Sequence, residues 1–60
     1  MQNIWVEDDE GKIVISGKKV ADYAEKHDLT ENEAAKRLIN REIAKGKLDK
    51  KANYHVIDPF

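Results

Sequence analysis

The segment Leu29-Thr30-Glu31-Asn32-Glu33-Ala34 constrains this chain more than any other, because it spells out a helix start that neither a strand nor a loop requires. Thr30 can accept a hydrogen bond from the amide three residues on, while the Glu33 side chain reaches back to the amide of Thr30, forming a capping box. Leu29, just before the cap, can staple onto Ala34. Downstream, Ala34, Ala35, Leu38, Ile39 and Ile43 recur at the spacing of one helix face. Glutamates fill the first turn, Arg41 and Lys45 the last, and Gly46 supplies the stop, as the helix dipole and left-handed C-terminal caps favour. A helix of this kind has to bury its apolar stripe, so the rest of the chain must supply a covering surface.

Two further segments can do so. Val20, Ala21, Tyr23, Ala24 and His27 recur at helical spacing after Ser16 or Gly17, either of which caps a first helix, and the chain breaks tightly at Asp28-Leu29 before the second. Upstream, Ile4-Trp5-Val6 and Ile13-Val14-Ile15, within the run from Asn3 to Ser16, are β-branched and aromatic, and Asp8-Asp9-Glu10-Gly11 between them is turn chemistry. Gly11 suits a type I turn closed by a bulge. Strand alternation puts Ile4 and Val6 on one face with Ile13 and Ile15 opposite them, and turns Trp5 and Val14 the other way. After the polar stretch Lys47–Asn53, the run Tyr54-His55-Val56-Ile57 before Asp58-Pro59-Phe60 is either a third strand at a sheet edge or a partner-binding tail. The expectation is one α+β domain over residues 1–60: an N-terminal hairpin, two helices joined by a tight turn, and a C-terminal run 47–60 that ends in a strand or stays flexible. Its expected core is Ile4, Val6, Ile13, Ile15, Val20, Tyr23, Ala24, Leu29, Ala35, Leu38, Ile39 and Ile43.

Sixty residues leave little core to stabilise a fold, and small scaffolds usually rely on a disulfide, a metal or a partner chain. The chain has no cysteine, which removes disulfides and thiolate metal sites, and His27 and His55 are too far apart in sequence for a local ligand pair. Idealised packing or association remains. The acidic run Glu7–Glu10 precedes any apolar stretch, so no signal peptide is read, and no window approaches a membrane span; the expected location is cytoplasmic, with no membrane partner.

The inventory for catalysis is thin. There is no cysteine nucleophile, no Gly-x-Ser-x-Gly elbow and no phosphate-cradling glycine loop, and the three glycines sit where turns and caps need them. An EF-hand reading of the acidic run fails, because Val6 and Gly17 occupy the first and last ligand positions. His27 sits late in the first helix, where a cation suits the dipole. No enzyme, metal or cofactor is expected.

Charge is unevenly spread. The net charge of -1 resolves into -3 over residues 1–16, zero over 17–28, and +1 over each of 29–46 and 47–60. Arg37, Arg41 and Lys45 follow one line on the second helix, with Lys36 and Asn40 beside them, away from Leu38 and Ile39. With Lys12, Lys18 and Lys19 they form either a phosphate-contacting set or an ordinary solvated surface.

The order strand, helix, tight turn, capped helix resembles the ribbon-helix-helix family of small bacterial and phage DNA-binding proteins of the Arc and MetJ type. The resemblance covers about residues 12–45 and rests on Lys12-Ile13-Val14-Ile15-Ser16 as the ribbon strand and on Leu29-Thr30-Glu31-Asn32-Glu33-Ala34-Ala35-Lys36-Arg37-Leu38-Ile39 as the second helix start. It implies a homodimer that pairs its strands antiparallel and sends Lys12, Val14 and Ser16 into the major groove, with Thr30 to Asn32 holding a phosphate. The first functional expectation is therefore a dimeric DNA-binding transcriptional regulator contacting DNA through Lys12, Val14, Ser16, Lys18, Lys19, Thr30, Asn32, Lys36, Arg37 and Arg41. The alternative is a non-catalytic protein-interaction module, antitoxin-like or phage-encoded, using the acidic turn, Trp5 or the Tyr54–Phe60 tail.

Overall fold

The computed structural model describes residues 4–59; Asn3 and Phe60, which the sequence reading placed in the first run and the tail, lie outside them. The chain forms β1 (Trp5–Asp8), β2 (Ile13–Ile15), α1 (Gly17–His27), α2 (Glu31–Ala44) and β3 (Tyr54–Ile57). The strands make one antiparallel sheet in the order β2-β1-β3, and the helices pack as a hairpin on one of its faces. The α+β expectation holds, and of its two readings of the C-terminal run the strand is correct: Trp5, Val6, Glu7 and Asp8 pair with Ile57, Val56, His55 and Tyr54.

Local chemistry accounts for most element ends. In the β1–β2 turn the Asp8 carboxylate accepts from the amides of Glu10 and Lys12, both at 2.9 Å, and Gly11 takes φ +80°, which a side chain would strain. Ser16 Oγ caps α1 by accepting from the amide of Lys19. At the other end of α1, Asp28 adopts a left-handed conformation and the amide of Leu29 donates to the Ala24 carbonyl at 2.8 Å, stopping the helix one residue before the next cap. Thr30 Oγ1 accepts from the amide of Glu33, as the capping box requires. The return half does not form: among the described residues the Glu33 carboxylate accepts no bond from the Thr30 amide, and it is Glu31 that reaches outward, accepting from the backbone amide of Ile4 at 3.2 Å. One carboxylate of the first turn thus ties α2 to the start of β1.

The core lies between the layers and consists of Ile4, Val6, Ile15, Val20, Ala24, Ala34, Ala35 and Leu38, with Val14, Tyr23, Ile39, Leu48, Tyr54 and Val56 packed around it. Val6 is paired with Ile15 on one side and Val56 on the other, a row of three apolar residues across the inner face. Ile13 departs from the expected core. The register slips between Val6 and Glu7, so that Val6 faces Ile15 while Glu7 faces Ile13, and the additional residue on β2 makes a bulge. The bulge carries Val14 against the core and rotates Ile13 onto the opposite face, where it is 56% exposed. Leu29 and Ile43, also expected inside, are half-buried.

Candidate interaction surface

Because side chains alternate along a strand, burying Val6 turns its neighbours Trp5 and Glu7 to the side of the sheet that carries no helix among the described residues. Cross-strand pairing then fixes their company. Ile13, Glu7 and His55 form one row across β2, β1 and β3, and Trp5 lies beside Ile57 in the next. The indole Nε1 of Trp5 donates to Glu7 Oε2 at 2.7 Å, a short charge-assisted bond that fixes the ring along the strand. His55 Nε2 lies 2.9 Å from Asp9 Oδ1, linking β3 to the acidic turn. The result is a surface with three large apolar side chains, Trp5, Ile13 and Ile57, with Glu7 and His55 between them and Asp9 and Glu10 beyond one end in the turn. Trp5 and the acidic turn stand out in the sequence by residue type; Ile13 does not, because the bulge that exposes it depends on pairing between strands.

A second polar feature lies at the far end of the helical hairpin. Glu42 continues the buried line Ala34–Leu38 by one more turn of α2 and is 4% exposed, where the sequence pattern placed Ile43. Its Oε1 accepts from Lys19 Nζ at 2.5 Å, and its Oε2 is buried without a hydrogen-bond partner. The hydrogen bond from Lys19 holds the Glu42 carboxyl below the ordinary carboxylate range; desolvation opposes this, and the charges of Lys19, Lys47 and Lys45 add to it. The backbone carbonyl of Glu42 accepts from the amides of Lys47 and Leu48, so the same residue also closes the end of α2.

The residues assigned to DNA contact are spread over the hairpin, both ends of the helical pair and the outer side of α2. Lys36, Arg37 and Arg41 are exposed on the outer side of α2, and among the described residues none is in an ion pair. Thr30 and Asn32 sit at the start of α2, whereas Lys18 and Lys19 begin α1, which lies against the end of α2 through the Lys19–Glu42 contact. A helix of fourteen residues separates those two groups by about 20 Å. Lys12 is exposed at the end of the hairpin turn, Val14 is half-buried against the core, and the Ser16 hydroxyl is engaged as the α1 cap.

Fold and surface together define a two-layer α+β domain with one helix-free sheet face. No family model, no curated protein and no solved structure matches the chain. Among the described residues no helix is long and apolar enough to cross a membrane.

Proposed function

We propose that this chain is a small non-catalytic protein-interaction module that docks a partner on the helix-free face of its sheet. The observation that carries the reading is Trp5, held in place by Glu7 beside the exposed Ile13 and the half-buried Ile57. One-sided antiparallel sheets normally turn polar side chains to solvent. Here that side carries Trp5, Ile13 and Ile57 alongside Glu7 and His55. Tryptophan in a central, pre-oriented position is the residue type that most often dominates binding energy at protein interfaces, since little further ordering is needed when the partner arrives. The decisive test is affinity capture with the intact chain, identification of the captured protein, and repetition with Trp5→Ala and Ile13→Lys. Loss of that protein with both variants, while circular dichroism stays unchanged, is the expected result; retention with both overturns the reading.

A DNA-binding regulator acting as a dimer is the second reading, favoured by the exposed row Lys36, Arg37 and Arg41 without ion-pair partners among the described residues. It requires duplex binding that weakens steeply with salt, by a slope of about 0.9 per phosphate neutralised, and that disappears when the three side chains are changed to glutamate. Binding with that behaviour, and no dependence on Trp5, selects this reading over the first.

A further inference from the structure

We infer that the segment docking on the sheet face is an amphipathic helix of a partner protein whose apolar stripe is bordered by lysine or arginine; this rests on the interaction-module reading above. The inner face of the same sheet already packs a helical layer through branched aliphatic side chains, and the outer face repeats that chemistry with Trp5, Ile13 and Ile57. Charge then selects among helices. Glu7 stands in the middle of the face, between Ile13 and His55, and Asp9, paired with His55, and Glu10 follow in the turn, within a first segment carrying -3. A helix laid over Trp5 and Ile13 removes water from Glu7 and brings its border beside the turn, where attraction and repulsion are both strengthened by the lower local dielectric. A basic border compensates the carboxylates, a neutral one leaves Glu7 desolvated without a cation, and an acidic one is repelled.

A second copy of this chain fits the surface poorly. Placed face to face, two copies bring their central Glu7 carboxylates together, and with the strands parallel their acidic turns as well. The alternative, seating the basic side of α2 on the face, offers Lys36, Arg37, Asn40 and Arg41, which bring side-chain stems but no apolar side chain to Trp5, Ile13 and Ile57. That head-to-tail contact would also use two different surfaces and leave both ends open to further addition. Complementarity in both charge and hydrophobicity therefore points to a different chain.

The experiment uses three synthetic peptides that share one leucine pattern at i, i+3, i+4 and i+7 and differ only in border residues: lysine, glutamine or glutamate. Each is titrated into the isotope-labelled full chain while the Trp5 indole and the Ile13 and Ile57 methyl signals are followed. The lysine peptide is expected to shift those signals, to bind at least about tenfold more tightly than the glutamate peptide at low salt, and to lose that advantage as salt rises. The double variant Glu7→Gln/Glu10→Gln, in which residue 7 can still accept from the indole, is expected to weaken lysine-peptide binding about three- to tenfold. Ile13→Lys is expected to abolish it. Equal affinity for all three peptides overturns the basic-helix inference and leaves the docking face standing. Shifts that fall elsewhere on the folded chain, or no shift with any peptide at millimolar concentration, overturn both.

Discussion

Trp5 and Glu7 lie two residues apart on the same face of β1 and are joined by a 2.7 Å bond from the indole nitrogen to the carboxylate. Both are half-buried, so the bond orients the ring more than it stabilises the fold. Replacing Glu7 with alanine is expected to lower stability by only about 0.5–1.5 kcal/mol, while the ring gains freedom. The chain has one tryptophan, so a fall in its fluorescence anisotropy relative to the parent, with Glu7→Gln intermediate, checks this directly.

The Lys19–Glu42 pair gives the fold an acid sensitivity whose direction follows from the carboxyl. Its folded pKa is held below the unfolded value, so its contribution is fully present above the ordinary carboxylate range and is lost as pH falls through the lower, folded value. The unfolding midpoint should therefore drop below about pH 4.5, and Glu42→Gln should flatten that part of the profile. Lys19→Met should destabilise at neutral pH, because it strands a buried carboxylate that already has one unpartnered oxygen. The double variant Lys19→Met/Glu42→Leu, lacking any buried charge, should recover most of the loss or exceed the parent, which urea unfolding at pH 7 measures.

Leu38 is 1% exposed and stands with Ala34 and Ala35 against the sheet. Its truncation to alanine removes about 2–5 kcal/mol. A sixty-residue domain has roughly 3–9 kcal/mol in all, so Leu38→Ala should lose a large share of its stability and melt well below the parent. Ile39→Ala, one residue on and only half-buried, should unfold at a midpoint between the two; thermal melts followed by circular dichroism rank all three.

Removing residues 53–60 takes away β3, uncovers the second edge of β1 and strips Val56 from Val6. The truncated chain is expected to lose its cooperative thermal transition. If a sharp melt within a few degrees of the full chain persists, β3 contributes little to stability and the C-terminal run acts as a tail.

Much of this architecture is legible because its signals are local. The Thr30 cap, the Ser16 cap, the Asp8–Gly11 turn and the Gly46 stop each depend on groups within a few residues, and each forms where residue chemistry places it. The helical stripe also predicts most of the core, from Val20 and Ala24 to Ala35 and Leu38. Glu33 marks the limit of such reading. Its return bond competes with solvent, and the neighbouring Glu31 is drawn to the Ile4 amide by a contact twenty-seven residues away in sequence.

The candidate surface was only partly visible in the chain. Trp5 and the acidic turn stand out by type, but the company they keep is tertiary. Strict alternation buries Ile13, and the bulge opposite Val6 and Glu7 exposes it instead, a choice made by pairing between strands. Hydropathy assigns Ile43 to the core and passes over Glu42, yet the turn of α2 that meets α1 carries the glutamate inward, where Lys19 pairs with one of its oxygens. The sequence by itself determined where helices and turns begin and end, since caps and turn residues act on their own backbone. Only the tertiary structure decided which face of the sheet stays open, which isoleucine it presents and which carboxylate is buried, because those outcomes depend on register and packing between segments that no local pattern encodes.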